Sequence, residues 1–175
     1  ELPILPPRWR RALTGFDALL CGSRYLEAVY QLQVPGALTL PSPCPISLPE
    51  RIQRRRADYG LPEGITLFMT AFDPASDLAR KNPLGSVEAY LLAFPKDEGK
   101  TMLLLKANGL DKRPEGAMLA NHIRDRAGSR QDIRLLDASM SYEDTLGLYA
   151  CADAFVSLHR SEGLGLPLLE AMMLG

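Results

Sequence analysis

From residue 65 onward the chain alternates between two hydrophobic rhythms. Short apolar runs at residues 65–70, 101–105, 133–136 and 153–158 read as buried strands. Between them, apolar residues recur three and four positions apart, the period of a helix. Residues 83–94 set Leu84, Val87, Tyr90, Leu91 and Phe94 along one face. Residues 115–127 form a second helical stretch. Ser141, with Asp144 three positions on, opens a third that runs to Cys151. A last helix follows the strand at 153–158. Strands alternating with helices at this spacing predict an α/β architecture, a parallel sheet with helices on both faces and right-handed connections.

The first third is more broken. Residues 1–11, with Pro3, Pro6 and Pro7 among Arg8, Arg10 and Arg11, read as an extended arm or a frayed start. Residues 16–21 read as a strand, Ser23 caps a helix running to about Gln31, and residues 37–40 form another short strand. Pro41, Pro43 and Pro45 remove backbone donors and mark a linker. Residues 48–59 read as a polar helix ended by Gly60. This divides the chain into 1–45 and 46–175.

Net charge is −1 over 175 residues, with 46% hydrophobic and 23% charged positions. That balance is ordinary for a globular protein and argues against nucleic acid as a partner. Cys21, Cys44 and Cys151 are odd in number and show no metal-ligand spacing, so a reducing cytoplasm is the simplest setting. No apolar run approaches membrane-spanning length. Arg51, Arg54, Arg55 and Arg56 read as a solvated helix face. Alternatively, with Trp9 and its neighbouring arginines, they contact anionic lipid headgroups, a peripheral association with the inner membrane. Met172 and Met173 read as core packing.

The densest chemistry lies in the last fifteen residues. Glu162 and Glu170 flank Gly163, Gly165 and Pro167, directly after an apolar strand. Two glycines let the backbone come close to a ligand. Pro167 suits a first helical turn, and the unpaired N–H groups of such a turn attract phosphate. Glu162 sits on the turn, and Glu170 lies about one turn into the helix, where it can accept bonds from sugar hydroxyls. A diphosphate at a helix start with hydroxyls on both sides describes a nucleotide sugar.

The same residues carry a family resemblance. The segment resembles the Glu, seven residues, Glu signature of the retaining glycosyltransferases of family 4, which have the GT-B fold. The match extends from Asp132-Ile-Arg-Leu-Leu through His159-Arg-Ser-Glu-Gly-Leu-Gly-Leu-Pro. A second match is Phe72-Asp-Pro-Ala-Ser76, then Arg80-Lys-Asn-Pro83 and the helix from Gly85 to Phe94. The resemblance covers residues 65–175 well and 16–40 weakly. It implies that residues 46–175 are the Rossmann-like, nucleotide-sugar-binding domain, incomplete at its C-terminus, and that 1–45 are the tail of the acceptor-side domain plus a linker. On that basis the chain alone binds nucleotide weakly and transfers nothing.

The resemblance also implies roles. Glu170 binds the ribose, and Glu162 faces the transferred sugar near its reacting carbon. Gly163, Leu164, Gly165 and Leu166 offer amides to phosphate or sugar, and His159 stands near the donor pocket. Lys81 neutralises the leaving diphosphate. The family usually has an arginine several residues earlier, but residues 73–76 hold none, so Arg80 or the Ser76 hydroxyl takes that part. Lys106, at a strand end, is a candidate for the same cleft. The implied reaction moves a sugar, mannose or a related hexose, from a GDP- or UDP-linked donor to a glycan or lipid-linked saccharide, with retention and without a metal or other cofactor, as in polysaccharide biosynthesis. The rivals are a GT-B sugar-nucleotide epimerase, a glycogen-synthase-like protein, and a nucleotide-binding or interaction module without catalysis. A truncated sheet edge offers a route to dimers.

Overall fold

The computed structural model describes residues 4–42, 46–49 and 52–175. The chain divides into two compact units, residues 1–47 and 48–175.

In the first unit, helix α1 (Pro7–Leu13) starts on two consecutive prolines. The expected extended arm is therefore helical from Pro7. A proline costs nothing at a first helical position, where its missing N–H has no partner to lose. Strand β1 (Ala18–Cys21), helix α2 (Arg24–Gln33) and strand β2 (Leu38–Pro41) form a parallel crossover with Ala18 beside Leu38. Ser23 Oγ caps α2 by accepting the Leu26 amide at 3.2 Å. Leu19, Cys21, Val29 and Val34 are its buried residues. The expected linker falls largely on residues 43–45, outside the described residues.

The second unit opens differently from expectation. No helix spans the described part of residues 48–59; only Arg56–Tyr59 turn, as a single 3-10 turn. Pro49 would be tolerated in a first helical turn, but the arginines find partners distant in sequence in an irregular wrap. Arg56 donates to Cys151 O, Ile65 O and Asp153 Oδ2 at 3.0, 2.8 and 2.6 Å. Arg54 pairs with Asp144 at 2.7 Å, and Leu48 and Ile52 lie against the core. The basic cluster is thus not a solvated helix face, since two of its members are tethers within the unit.

The rest follows the alternation. Strands β3 (Thr66–Ala71), β4 (Thr101–Ala107), β5 (Ile133–Asp137) and β6 (Ala154–Phe155) form a parallel sheet in the order β5-β4-β3-β6. Helices α4 (Pro83–Ala93) and α5 (Pro114–Ala127) cover one face, burying Val87, Tyr90, Leu119 and Ile123 against Leu103, Leu105 and Ile133. Helix α6 (Tyr142–Ala150) covers the other, with Leu146 and Leu148 against Leu67, Met69 and Leu104. Alternate residues of β4 thus serve opposite cores, as a two-sided buried strand requires. Ser141 caps α6 through the Asp144 amide.

Two elements depart in detail. A one-turn helix, α3 (Leu78–Lys81), precedes α4, its N-cap Asp77 accepting two amides. Strand β6 is shorter than expected because only Phe68 and Met69 stand beside it. Helix α7 (Leu166–Leu174) closes the chain with no fully buried residue. Met172 and Met173 are 70% and 54% exposed, so the expected core packing of this pair does not occur: no described element covers that face of α7.

Candidate functional site

Successive strands are added on one side of β3 as far as β5, and then β6 is added on the other side, so the strand order switches between β3 and β6. Ligands of open α/β sheets bind at such a point, beyond the carboxyl ends of the strands. Two segments leave the sheet there. One follows β3 and runs through α3; the other follows β6 and runs to α7.

These two segments are laced together. Asn82, between α3 and α4, adopts a left-handed conformation with φ 48°, and its Nδ2 donates to Leu158 O at 3.0 Å. Its side chain lies over Gly85, where an added Cβ would come within 2.3 Å of it. Pro83 then starts α4. Arg160 donates its amide to Arg80 O at 2.8 Å and its guanidinium to Ala79 O. Arg80 in turn donates to Ser161 O at 2.7 Å. The Arg-Lys-Asn-Pro and His-Arg-Ser-Glu sequences are two halves of one construction.

At its centre is Glu162. One oxygen, Oε1, accepts from Lys81 Nζ at 2.6 Å, from His159 Nδ1 at 2.5 Å and from the Arg80 guanidinium at 3.2 Å. Burial pushes the Glu162 carboxyl up, but its bonds to Lys81 and His159 outweigh this and hold it below the ordinary glutamate value. His159 is nearly enclosed, with a side chain 7% exposed, and its Nε2 has no partner among the described residues.

The turn that follows is open. Gly165 has φ 68°, a conformation that suits glycine, and it precedes α7 as its N-cap. The amides of Gly163, Leu164, Gly165 and Leu166 make no hydrogen bond among the described residues. The Leu164 and Leu166 side chains stand partly exposed. Glu170, one turn into α7, accepts the Tyr142 hydroxyl at 2.9 Å. Ser76 stands apart from this cluster: its hydroxyl is 3.4 Å from Asp73 Oδ2, inside a turn closed by Asp73.

A cleft of about 410 Å³ lies at this sheet edge. Phe72, Lys81, Lys106, Asn108, Thr145 and Pro167 are among the residues that line it. Neither Glu162 nor Glu170 lines it directly. Glu162 adjoins it through Lys81. Tyr142, the partner of Glu170, begins the helix whose Thr145 forms part of the wall. Asn82 and Tyr142 went unread in the sequence. An Asn-Pro pair with a glycine two positions later was the available signal for Asn82. For Tyr142 there was none.

No protein-family model and no curated protein sequence matches the chain. Solved structures do. A UDP-forming α,α-trehalose-phosphate synthase from Burkholderia xenovorans is 14% identical, with TM-score 0.69 over 97% of this chain and 48% of its own. The E. coli trehalose-6-phosphate protein bound with UDP-2-fluoro glucose is 13% identical, with TM-score 0.67 over 99% and 49%. A glycosyltransferase from Rickettsia africae is 12% identical, with TM-score 0.71 over 98% and 47%. The fold is that of the GT-B glycosyltransferases. The chain spans about half the length of these relatives in structure. Among the described residues no helix is long and apolar enough to cross a membrane.

Proposed function

We propose that this chain is the donor-binding part of a retaining glycosyltransferase whose donor is a nucleoside-diphosphate sugar. The observation that carries the reading is the convergence of Lys81, Arg80 and Glu162 beside the unbonded amides of residues 163–166, at the switch in strand order between β3 and β6. The fold supports it, as does the UDP-2-fluoro glucose held by the E. coli relative.

In this reading the diphosphate lies against the 163–166 amides and the start of α7, where the helix dipole adds to their attraction. As the bond from the anomeric carbon to the diphosphate oxygen breaks, negative charge grows on that oxygen. Lys81 and Arg80 offset it, and they are already fixed by the lacing around Asn82 and Arg160. Glu162 then gives up its hold on Lys81 and faces the sugar, with His159 setting its direction. Glu170, steadied by Tyr142, takes the ribose hydroxyls. Ser76 is assigned no part in this reading, its hydroxyl lying toward Asp73 at 3.4 Å. A mannosyl or related hexosyl donor linked to GDP or UDP, and a glycan or lipid-linked acceptor supplied from a partner domain, complete the proposal.

Calorimetry with UDP-, GDP- and ADP-sugars tests it. One of them is expected to bind, and Glu170→Ala is expected to weaken that binding about tenfold or more, the worth of a lost bond to a charged group. Binding unchanged in that variant would remove Glu170 from the site.

A further inference from the structure

Lys106 stands at the carboxyl end of β4 with 7% of its surface exposed. In register it lies beside Ala71, the last residue of β3, and its carbonyl accepts the Phe72 amide at 3.0 Å. Its ammonium donates to Ala107 O and Ala138 O, both at 2.7 Å. An ammonium has three hydrogens, and these two bonds leave one. No carboxylate forms an ion pair with it among the described residues. Asp137 acts on it electrostatically, but its two oxygens accept the Gly109 and Leu110 amides at 2.6 and 3.0 Å. Burial holds the Lys106 pKa below the usual lysine value, with Asp137 opposing.

A buried cation without an anion is costly, and it is found where something else supplies the charge. Here the open side is the cleft, which Lys106 lines together with Lys81. Lys81 already has a carboxylate, Glu162, whereas Lys106 has none. Asp73, on the same wall, has its oxygens engaged by the Ala75 amide and the Ser76 hydroxyl. We propose that Lys106 is an anion-binding residue of this cleft, donating its remaining hydrogen to a phosphate group of the bound nucleotide. This rests on the nucleotide-sugar reading and adds a third cation to the pair Lys81 and Arg80.

The test is calorimetric titration of the whole chain, its Lys106→Met and its Lys106→Arg variants with UDP and, separately, with inorganic pyrophosphate at low salt. Methionine matches the lysine stem in volume and removes the charge. Lys106→Met is expected to bind both ligands about tenfold or more weakly, with a melting temperature no lower than that of the parent. Lys106→Arg is expected to retain part of the affinity. Should the lysine serve only to tether the ends of β4 and β5, Lys106→Met will melt earlier and bind as the parent does, which overturns the proposal. Binding of pyrophosphate that depends on Lys106, with UDP binding no better, would uphold the anion site and reject the nucleotide. Binding of neither ligand by the parent chain rejects both. If Lys106→Met does not fold, the Lys106 side-chain Cε resonance of the parent, assigned with Lys106→Arg, decides: it is expected to shift on adding pyrophosphate, and a fixed resonance refutes the proposal.

Discussion

At Glu162 one carboxylate oxygen satisfies two cationic side chains and a histidine at once. In the proposed complex a phosphate oxygen competes with Glu162 for Lys81. Replacing it by glutamine frees Lys81 from its only salt bridge among the described residues. Glu162→Gln is therefore expected to raise the affinity for UDP, which carries no sugar, roughly two- to fivefold, the worth of a partly exposed ion pair. A fall in UDP affinity, measured by calorimetry, would show that Glu162 supports the nucleotide instead of competing with it. A second residue carries stability. Asp132 is buried, pairs with Arg130 at 2.5 Å and accepts the Tyr90 hydroxyl at 2.9 Å. Burial pushes its carboxyl up, yet the Arg130 and Tyr90 bonds prevail and hold it below the ordinary aspartate value. A depressed folded-state pKa stabilises the protein above the unfolded value of about 3.9, and that stabilisation is lost as pH falls through the lower folded value. Asp132→Asn is expected to cost about 3 kcal/mol at neutral pH, since it takes the carboxylate from a largely enclosed ion pair and leaves the Arg130 charge with only the Phe94 carbonyl as a strong acceptor. It should also flatten the loss of stability below about pH 4. Urea melts at several pH values check both.

At the scale of elements, the regular alternation from residue 65 was legible because each strand and helix carries its own period. β3, β4, β5, α4, α5 and α6 fall within one or two residues of the expected ranges. What failed was set by contacts distant in sequence. Residues 52–59 carry polar residues at helical spacing, but Arg56 is called away by carbonyls and a carboxylate up to 97 positions off. Met172 and Met173 have the composition of core residues, and composition does not say whether another element arrives to cover them. The geometry of the candidate site was legible in part. Glu162, Lys81, Arg80 and His159 do meet, as the motifs imply, whereas Ser76 is drawn into a local turn that its neighbour Asp73 dictates. Close packing between elements also went unread at Gly116, where an added Cβ would meet Leu110 O at 2.2 Å. That oxygen is backbone and cannot swing aside. Gly116→Ala is expected to destabilise the unit by about 2 kcal/mol despite alanine's better helix propensity, as forced overpacking does. An unchanged urea midpoint would mean that α5 shifts freely against the turn at Leu110–Lys112.

For the molecule as a whole, the carboxyl edge of the sheet gathers the candidate ligand-binding groups. The strand order brings the turns after β3 and β6 together, the lacing around Asn82 and Arg160 fixes Lys81 and Arg80 there, and the glycine turn leaves four amides open beside them. Each link is structural, and only the ligand itself is inferred. The most direct measurement is therefore an NMR titration of the labelled chain with UDP, GDP and ADP in turn, following every backbone amide. At least one nucleotide is expected to shift the amides of residues 163–166 and those around Lys81 and Lys106 together, with little change on α5 or in residues 4–42. Shifts centred elsewhere, or none up to millimolar concentrations of all three, would contradict the account.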